Sequence, residues 1–204
     1  MNLFNKLAQE IVVCDGGMGT MLQAAGLPPG TPPEIWNLSS PDKIKAIHKA
    51  YIGAGAQIIT TNTFGGNRIK LKEYGLEKDI QTINQKAIEI ARSASNESTI
   101  VAASIGPTGK FLKPFGELTF TEAYEIFKEQ ASYLTHADVI MIETMIDSLE
   151  LKAAVIGARD AILSKVGVDS EMFPLPLKKE NLSYRGSRVF KGGGVFPLPL
   201  KKEN

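Results

Sequence analysis

Four short apolar runs recur along the chain, and each stops at polar or glycine-rich residues. They are Ile11-Val12-Val13-Cys14 before Asp15-Gly16-Gly17, Ala56 to Thr61 before Asn62, Thr99 to Ser104 before Gly106-Pro107, and Ala137 to Ile142 before Glu143-Thr144. Short, rich in β-branched residues and continuous rather than alternating, they read as strands buried on both faces. Between them apolar positions fall at helical spacing. Pro41–Ile52 carries Ile44, Ile47 and Tyr51; Asp79–Ala91 carries Ile80, Ile83, Ala87, Ile90 and Ala91; Thr119–Leu134 carries Ala123, Phe127, Ala131 and Leu134. A last helix runs from a cap at Asp147 to about Leu163. Thr119 with Glu122, and Asp147 with Glu150, have the spacing of capping boxes.

This β-α alternation predicts a parallel sheet with right-handed crossovers. An open doubly wound sheet and a (β/α)8 barrel both satisfy it, and in both a ligand sits at the carboxyl ends of the strands. The residues just after each run are therefore the candidates for chemistry.

The rhythm ends after Leu163, which divides the chain into 1–163, carrying about four βα units, and a tail, 164–204. The nonamer Phe-Pro-Leu-Pro-Leu-Lys-Lys-Glu-Asn stands at 173–181 and again, unchanged, at 196–204. A perfect low-complexity repeat has no folding logic, so the tail reads first as an aberrant, rearranged or duplicated end. A disordered interaction tail and a Pro-rich ligand for a partner domain are the other readings. The second is weakened by Pro-x-Pro rather than Pro-x-x-Pro spacing.

Composition narrows the classes. Lys plus Arg is 23 against 22 for Asp plus Glu, so nothing points to nucleic acid or an anionic membrane surface. One Cys makes no internal disulfide, and one Cys with two His builds no Cys-rich zinc site. No apolar run approaches the roughly 18 residues of a membrane helix, and the N-terminus lacks a secretory pattern, so a cytoplasmic location is expected.

The sharpest local feature is Asp15-Gly16-Gly17-Met18-Gly19-Thr20. Glycines directly after a strand let backbone N–H groups approach a carboxylate or a phosphate, although the spacing fits no phosphate loop and Asp15 would repel one. A tight β-to-α turn is the plain alternative. Glu143 follows a very apolar run, where a carboxylate needs a partner: a substrate ammonium, or a Lys or Arg from a neighbouring strand. Thr61, Asn62 and Thr63 offer hydroxyl and amide groups at the second strand end, or are ordinary turn residues. His48 reads as a helix-surface histidine, Cys14 as a small core residue, and Trp36 as packing a loop against the rim.

Taken together, Asp15–Thr20, Pro33-Glu34-Ile35-Trp36-Asn37-Leu38, Gly53-Ala54-Gly55-Ala56 with Thr61-Asn62-Thr63-Phe64-Gly65, Ser104-Ile105-Gly106-Pro107 and Ile142-Glu143-Thr144 resemble the homocysteine S-methyltransferase family, over about residues 5–163. The likeness is nearest to its cobalamin-dependent members. It implies a (β/α)8 TIM barrel and transfer of a methyl group to the homocysteine sulfur, forming methionine. It implies that backbone amides near Gly16 and Gly17 hold the homocysteine carboxylate, that Asp15 and Glu143 face its ammonium, and that Thr61 and Asn62 line the pocket. It also implies zinc, methylcobalamin as a candidate methyl donor, and a corrinoid or folate module as a candidate partner.

The chain departs from that pattern in two ways. The family holds zinc with three later cysteines, none of which occurs here. A closed barrel takes eight strands in about 250 residues. The expectation is therefore an N-terminal half-barrel, inactive or incomplete by itself. A non-catalytic homocysteine-binding fragment that needs a partner chain, and an unrelated barrel enzyme using Asp15 and Glu143 as acid and base, remain the alternatives.

Overall fold

The computed structural model describes residues 9–168 and the backbone of 195–197. Apart from that three-residue backbone, the nonamer repeat and the rest of the tail lie outside the described residues.

Three of the four apolar runs form parallel strands side by side: β1 (Ile58–Thr60), β2 (Ile100–Ile105) and β3 (Val139–Ile142). Ile58 pairs with Ile100, and Ala102 with Val139. A fourth strand, β4 (Val195–Pro197), lies antiparallel on the outer edge of β3, with Ile140 opposite Phe196.

The expected first strand is reduced to one parallel bridge, Cys14 to Ile58. Val13 accepts from the Gln57 and Ile58 N–H groups at 2.8 and 3.1 Å, and Asp15 N–H donates to Ile58 O at 2.9 Å. Its side chains are not buried: Ile11 is 92% exposed and Val13 51%. Among the described residues nothing pairs with the outer edge of this segment, so its apolar side chains have no second neighbour to pack on. For the same reason Cys14 is exposed, not a core residue.

The helices are α1 (Met18–Ala24), α2 (Trp36–Ser39, after a 3-10 turn at Pro33–Ile35), α3 (Pro41–Gly53), α4 (Arg68–Lys72), α5 (Ile80–Ala94), α6 (Phe120–Tyr133) and α7 (Ser148–Lys165). The Thr119–Glu122 capping box closes reciprocally and starts α6. Asp147 caps α7 through Leu149 N–H at 2.8 Å. Glu150 does not complete a box there; it is buried and accepts from Thr108 N–H and Oγ1 at 2.8 and 2.6 Å, pinning the loop after β2.

The main core lies between one sheet face and α5, α6 and α7. Ile59, Val101, Ala103, Ile105, Ile140 and Ile142 meet Ile88, Phe127, Leu134, Ala154 and Ala158 there. The other face carries the small cluster Ile58, Ala102 and Val139. Strand alternation divides the residues this way, and two-sided burial explains why the runs read as continuously apolar. Trp36 packs with Leu22, Leu27, Ile44, Ile47 and Ile90, and the Lys43 ammonium sits 4.4 Å from its ring centre. That cluster ties α1, α2 and α3 to α5, beside the strand ends.

Candidate functional site

Asp15 stands directly after the Cys14 bridge. Its Oδ2 accepts from Thr60 N–H at 2.7 Å, and the Thr60 hydroxyl reaches both carboxylate oxygens at 3.1 and 3.2 Å. Thr60 ends β1, so the carboxylate closes the gap where the ladder stops. Burial pushes the Asp15 carboxyl up to about 6; the Thr60 hydrogen bonds oppose the rise and the charge of Glu143 adds to it.

Glu143 follows β3, its N–H donating to Ile105 O at 3.0 Å. Its Oε1 accepts from the Ser104 hydroxyl at 2.6 Å. Thr144, the next residue, has φ 60°, a left-handed conformation that is costly for a β-branched side chain. Two carboxylates 128 positions apart in sequence thus share one end of the sheet, near enough for the charge of Glu143 to disfavour ionisation of Asp15. Among the described residues no Lys or Arg pairs with either.

Gly16 and Gly17 are exposed and open α1, with Gly17 at the N-cap and no side chain capping it. The first N–H groups of a helix have no partner within it. A side chain at Gly16 would meet the Tyr51 ring at about 3.1–3.2 Å, and the Tyr51 hydroxyl donates to Gly17 O at 3.3 Å. The turn is therefore braced by α3, with its N–H groups left to solvent or a ligand.

Thr61 and Asn62 lie one step deeper. Asn62 Nδ2 donates to Pro33 O at 2.8 Å and to Asn37 Oδ1 at 3.0 Å, and Asn37 Nδ2 returns a bond to Asn62 O at 2.9 Å. Thr61 bonds Thr63 and Ser104. Their polar atoms hold the strand end together behind the two carboxylates. Glu34, not singled out in sequence beyond its place in a motif, is buried and accepts from Gly65 N–H at 2.6 Å; burial raises its carboxyl.

Two other residues fall differently from expectation. His48 is fully buried on α3 and neither ring nitrogen has a partner, so burial lowers its pKa to about 4. The Cys14 thiol is raised by partial desolvation and by the charges of Asp15 and Glu143, which makes it a poor nucleophile.

Two clefts lie elsewhere. One of about 650 Å³ lies between α5 and α6, lined by Gln85, Arg92, Tyr133 and His136 among others; another of about 520 Å³ lies beside Arg68 and Glu129. The first is at the opposite end of the strands, where Arg92 is already paired with Asp138 at 2.6 Å. We place the site at the paired carboxylates because their charges are left without a cation among the described residues, whereas the arginines lining the clefts are already ion-paired. Among the described residues no group of three or more His, Cys, Asp or Glu could hold a metal.

The family model described as homocysteine S-methyltransferase matches residues 12–175. The methionine synthases of Mycobacterium leprae and Mycobacterium tuberculosis are 36% and 37% identical over 176 residues, covering 79% of this chain. The chain spans only 14% and 15% of their lengths. Among solved structures, the metallated form of the homocysteine methyltransferase MmuM from Escherichia coli superposes with a TM-score of 0.66 at 20% identity, covering 82% of this chain and 64% of that one. Its oxidised form gives 0.65 at 22% identity. At that identity the likeness establishes a shared fold.

Proposed function

Since the chain belongs to the homocysteine S-methyltransferase family, we propose that residues 1–163 form the N-terminal part of a (β/α)8 barrel that binds homocysteine, and that 164–204 is a tail outside it. The observation that carries this reading is the pair of carboxylates, Asp15 and Glu143, which has no cationic partner among the described residues, beside the open turn at Gly16-Gly17. Two acceptors without a cation suit an ammonium. Free main-chain donors a few ångströms along the same turn suit a carboxylate. Together they suit a zwitterionic amino acid, with its side chain left to extend away along the strand ends. Thr61 and Asn62 shape the wall behind it.

The family's zinc would deprotonate a thiol that otherwise titrates near pH ~8.5. The donor set here does not fit that ion. The chain has one Cys, it stands beside two carboxylates, and both their charges oppose its ionisation. No step of methyl transfer is therefore assigned to these residues. They bind and orient the amino acid, in a cytoplasmic enzyme that takes its methyl group from a corrinoid or folate module. Methyl transfer itself needs residues this chain does not contain.

Calorimetric titration of the full chain with homocysteine tests the binding. Saturable binding that is lost in Asp15→Asn and in Glu143→Gln supports it; no binding to the folded chain overturns it. In a second assay, methionine formation from homocysteine and methylcobalamin with added zinc should not exceed the zinc-only blank. Turnover above that blank would show that this chain carries the methyl-transfer chemistry by itself.

A further inference from the structure

We infer that Ser104 is a positioning residue for Glu143, held in one orientation by a relay of buried hydroxyls running back to Thr61 and Thr63. The functional half of this inference rests on the amino-acid-binding reading above; the structural half does not.

The relay follows from counting hydrogens. Each hydroxyl has one to donate. Thr63 Oγ1 lies 2.7 Å from Ser104 O, a carbonyl that can only accept, so its hydrogen is committed there. Thr61 Oγ1 is 2.6 Å from Thr63 Oγ1 and must be the donor of that pair. Its lone pairs then accept Ser104 N–H at 3.2 Å. Thr61 and Thr63 thus fix the peptide groups on both sides of Ser104, where β1 has ended and no ladder partner remains. The Ser104 hydroxyl is left with one acceptor in reach, Glu143 Oε1 at 2.6 Å. All three hydroxyl residues are buried, so water does not compete for the bonds among them; Glu143, at the end of the relay, is half-buried.

The consequence is directional. Ser104 occupies one oxygen of Glu143 and restrains the carboxylate, so the second oxygen is the one left to accept from a ligand. With its hydrogen spent, Ser104 Oγ offers only lone pairs. The end of the site is then lined by acceptors alone, and a substrate ammonium is the complement. Nothing in the relay touches the turn at Gly16-Gly17, so the effect is confined to the ammonium end.

Two measurements on the full chain separate the structural and functional halves. The first is a double-mutant cycle of thermal stability with Ser104→Ala, Glu143→Ala and the pair. Non-additive losses are expected; strict additivity overturns the positioning role whatever the chain binds. The second compares homocysteine with 4-mercaptobutanoate, which lacks only the ammonium. Ser104→Ala should weaken homocysteine binding about tenfold, the loss expected for a hydrogen bond to a charged group, and leave 4-mercaptobutanoate unchanged. Equal weakening of both would show a merely structural residue and overturn the inference. If Ser104→Ala fails to fold, Ser104→Cys, which keeps a weak donor, takes its place in both experiments and should give a partial loss of the same selectivity. A coupled cycle with no homocysteine binding to the wild-type chain would sink the binding reading while leaving the Ser104–Glu143 relay standing.

Discussion

Asp15 and His48 are both shifted by burial, with opposite consequences for stability. The carboxyl of Asp15 is raised from 3.8 to about 6 on folding. The native state therefore holds more protons than the unfolded one between those values, and stability contributed by this group falls as pH rises through that window. At neutral pH the ionised carboxylate costs on the order of 1 kcal/mol after allowance for solvent screening. Asn at this position can still accept from Thr60 N–H and donate to the Thr60 hydroxyl. Asp15→Asn should therefore raise the melting temperature at pH 7, with no gain at pH 4, while abolishing binding of an ammonium ligand; melting curves at the two pH values check it. His48 runs the other way. Its pKa falls from 6.5 to about 4, so the unfolded state takes up the proton first and stability drops as pH falls from about 6.5 toward 4. The full loss is on the order of 3 kcal/mol. His48→Leu removes a buried ring whose two nitrogens have no partner, so urea titrations should show a variant at least as stable at pH 7 and without that acid-dependent loss. A sequence that places His48 beside Ile47 and Tyr51 on a helix does not reveal this burial, because α3 packs against α1, α2, α5 and β1 at once, and periodicity alone shows only one covered face.

Elements read from periodicity were recovered where the pattern was long. The cores of β1, β2 and β3 lie inside the apolar runs, and α3, α5, α6 and α7 inside or within a few residues of the predicted helices. The short helices α1 and α4 were not legible, since two turns or fewer carry too few positions to show a period. Asp15 and Glu143 were legible because strand ends are where such folds place ligands. The bonds that anchor them, from Thr60 and from Ser104, were not, because they join residues 45 and 39 positions apart. The same blindness hides Gly157. In an exposed helix Ala in place of Gly gains about 1 kcal/mol. Here a Cβ would stand 2.8 Å from both Lys128 N and Tyr124 O, main-chain atoms of α6 that cannot step aside. The clash outweighs the propensity, and Gly157→Ala should destabilise by roughly 1–3 kcal/mol, read as a lower urea midpoint with α6 and α7 pushed apart.

At the scale of the whole molecule the sheet is unequal at its two ends. On one side β3 is covered by β4. On the other, the bridge geometry turns Val13 O and Asp15 N–H toward β1, so the N–H and C=O of Cys14 point outward, next to the exposed Val13, and among the described residues nothing pairs with them. A bare strand edge flanked by apolar side chains is a template for another chain. A monomer in dilute solution should accordingly self-associate as concentration rises, and the association should pass through this edge rather than through the helical surface, where charges are interspersed. Val13→Lys places a charge beside the open backbone groups without touching the bonds from Val13 O to β1, and should lower the self-association seen in sedimentation velocity with little change in melting temperature. A control at the helical surface, Glu125→Lys, should leave it unaltered. If association instead persists in Val13→Lys, the first segment is not the contact, and the apolar residues of the loop after β2, Phe111 and Phe115, become the surface through which copies meet.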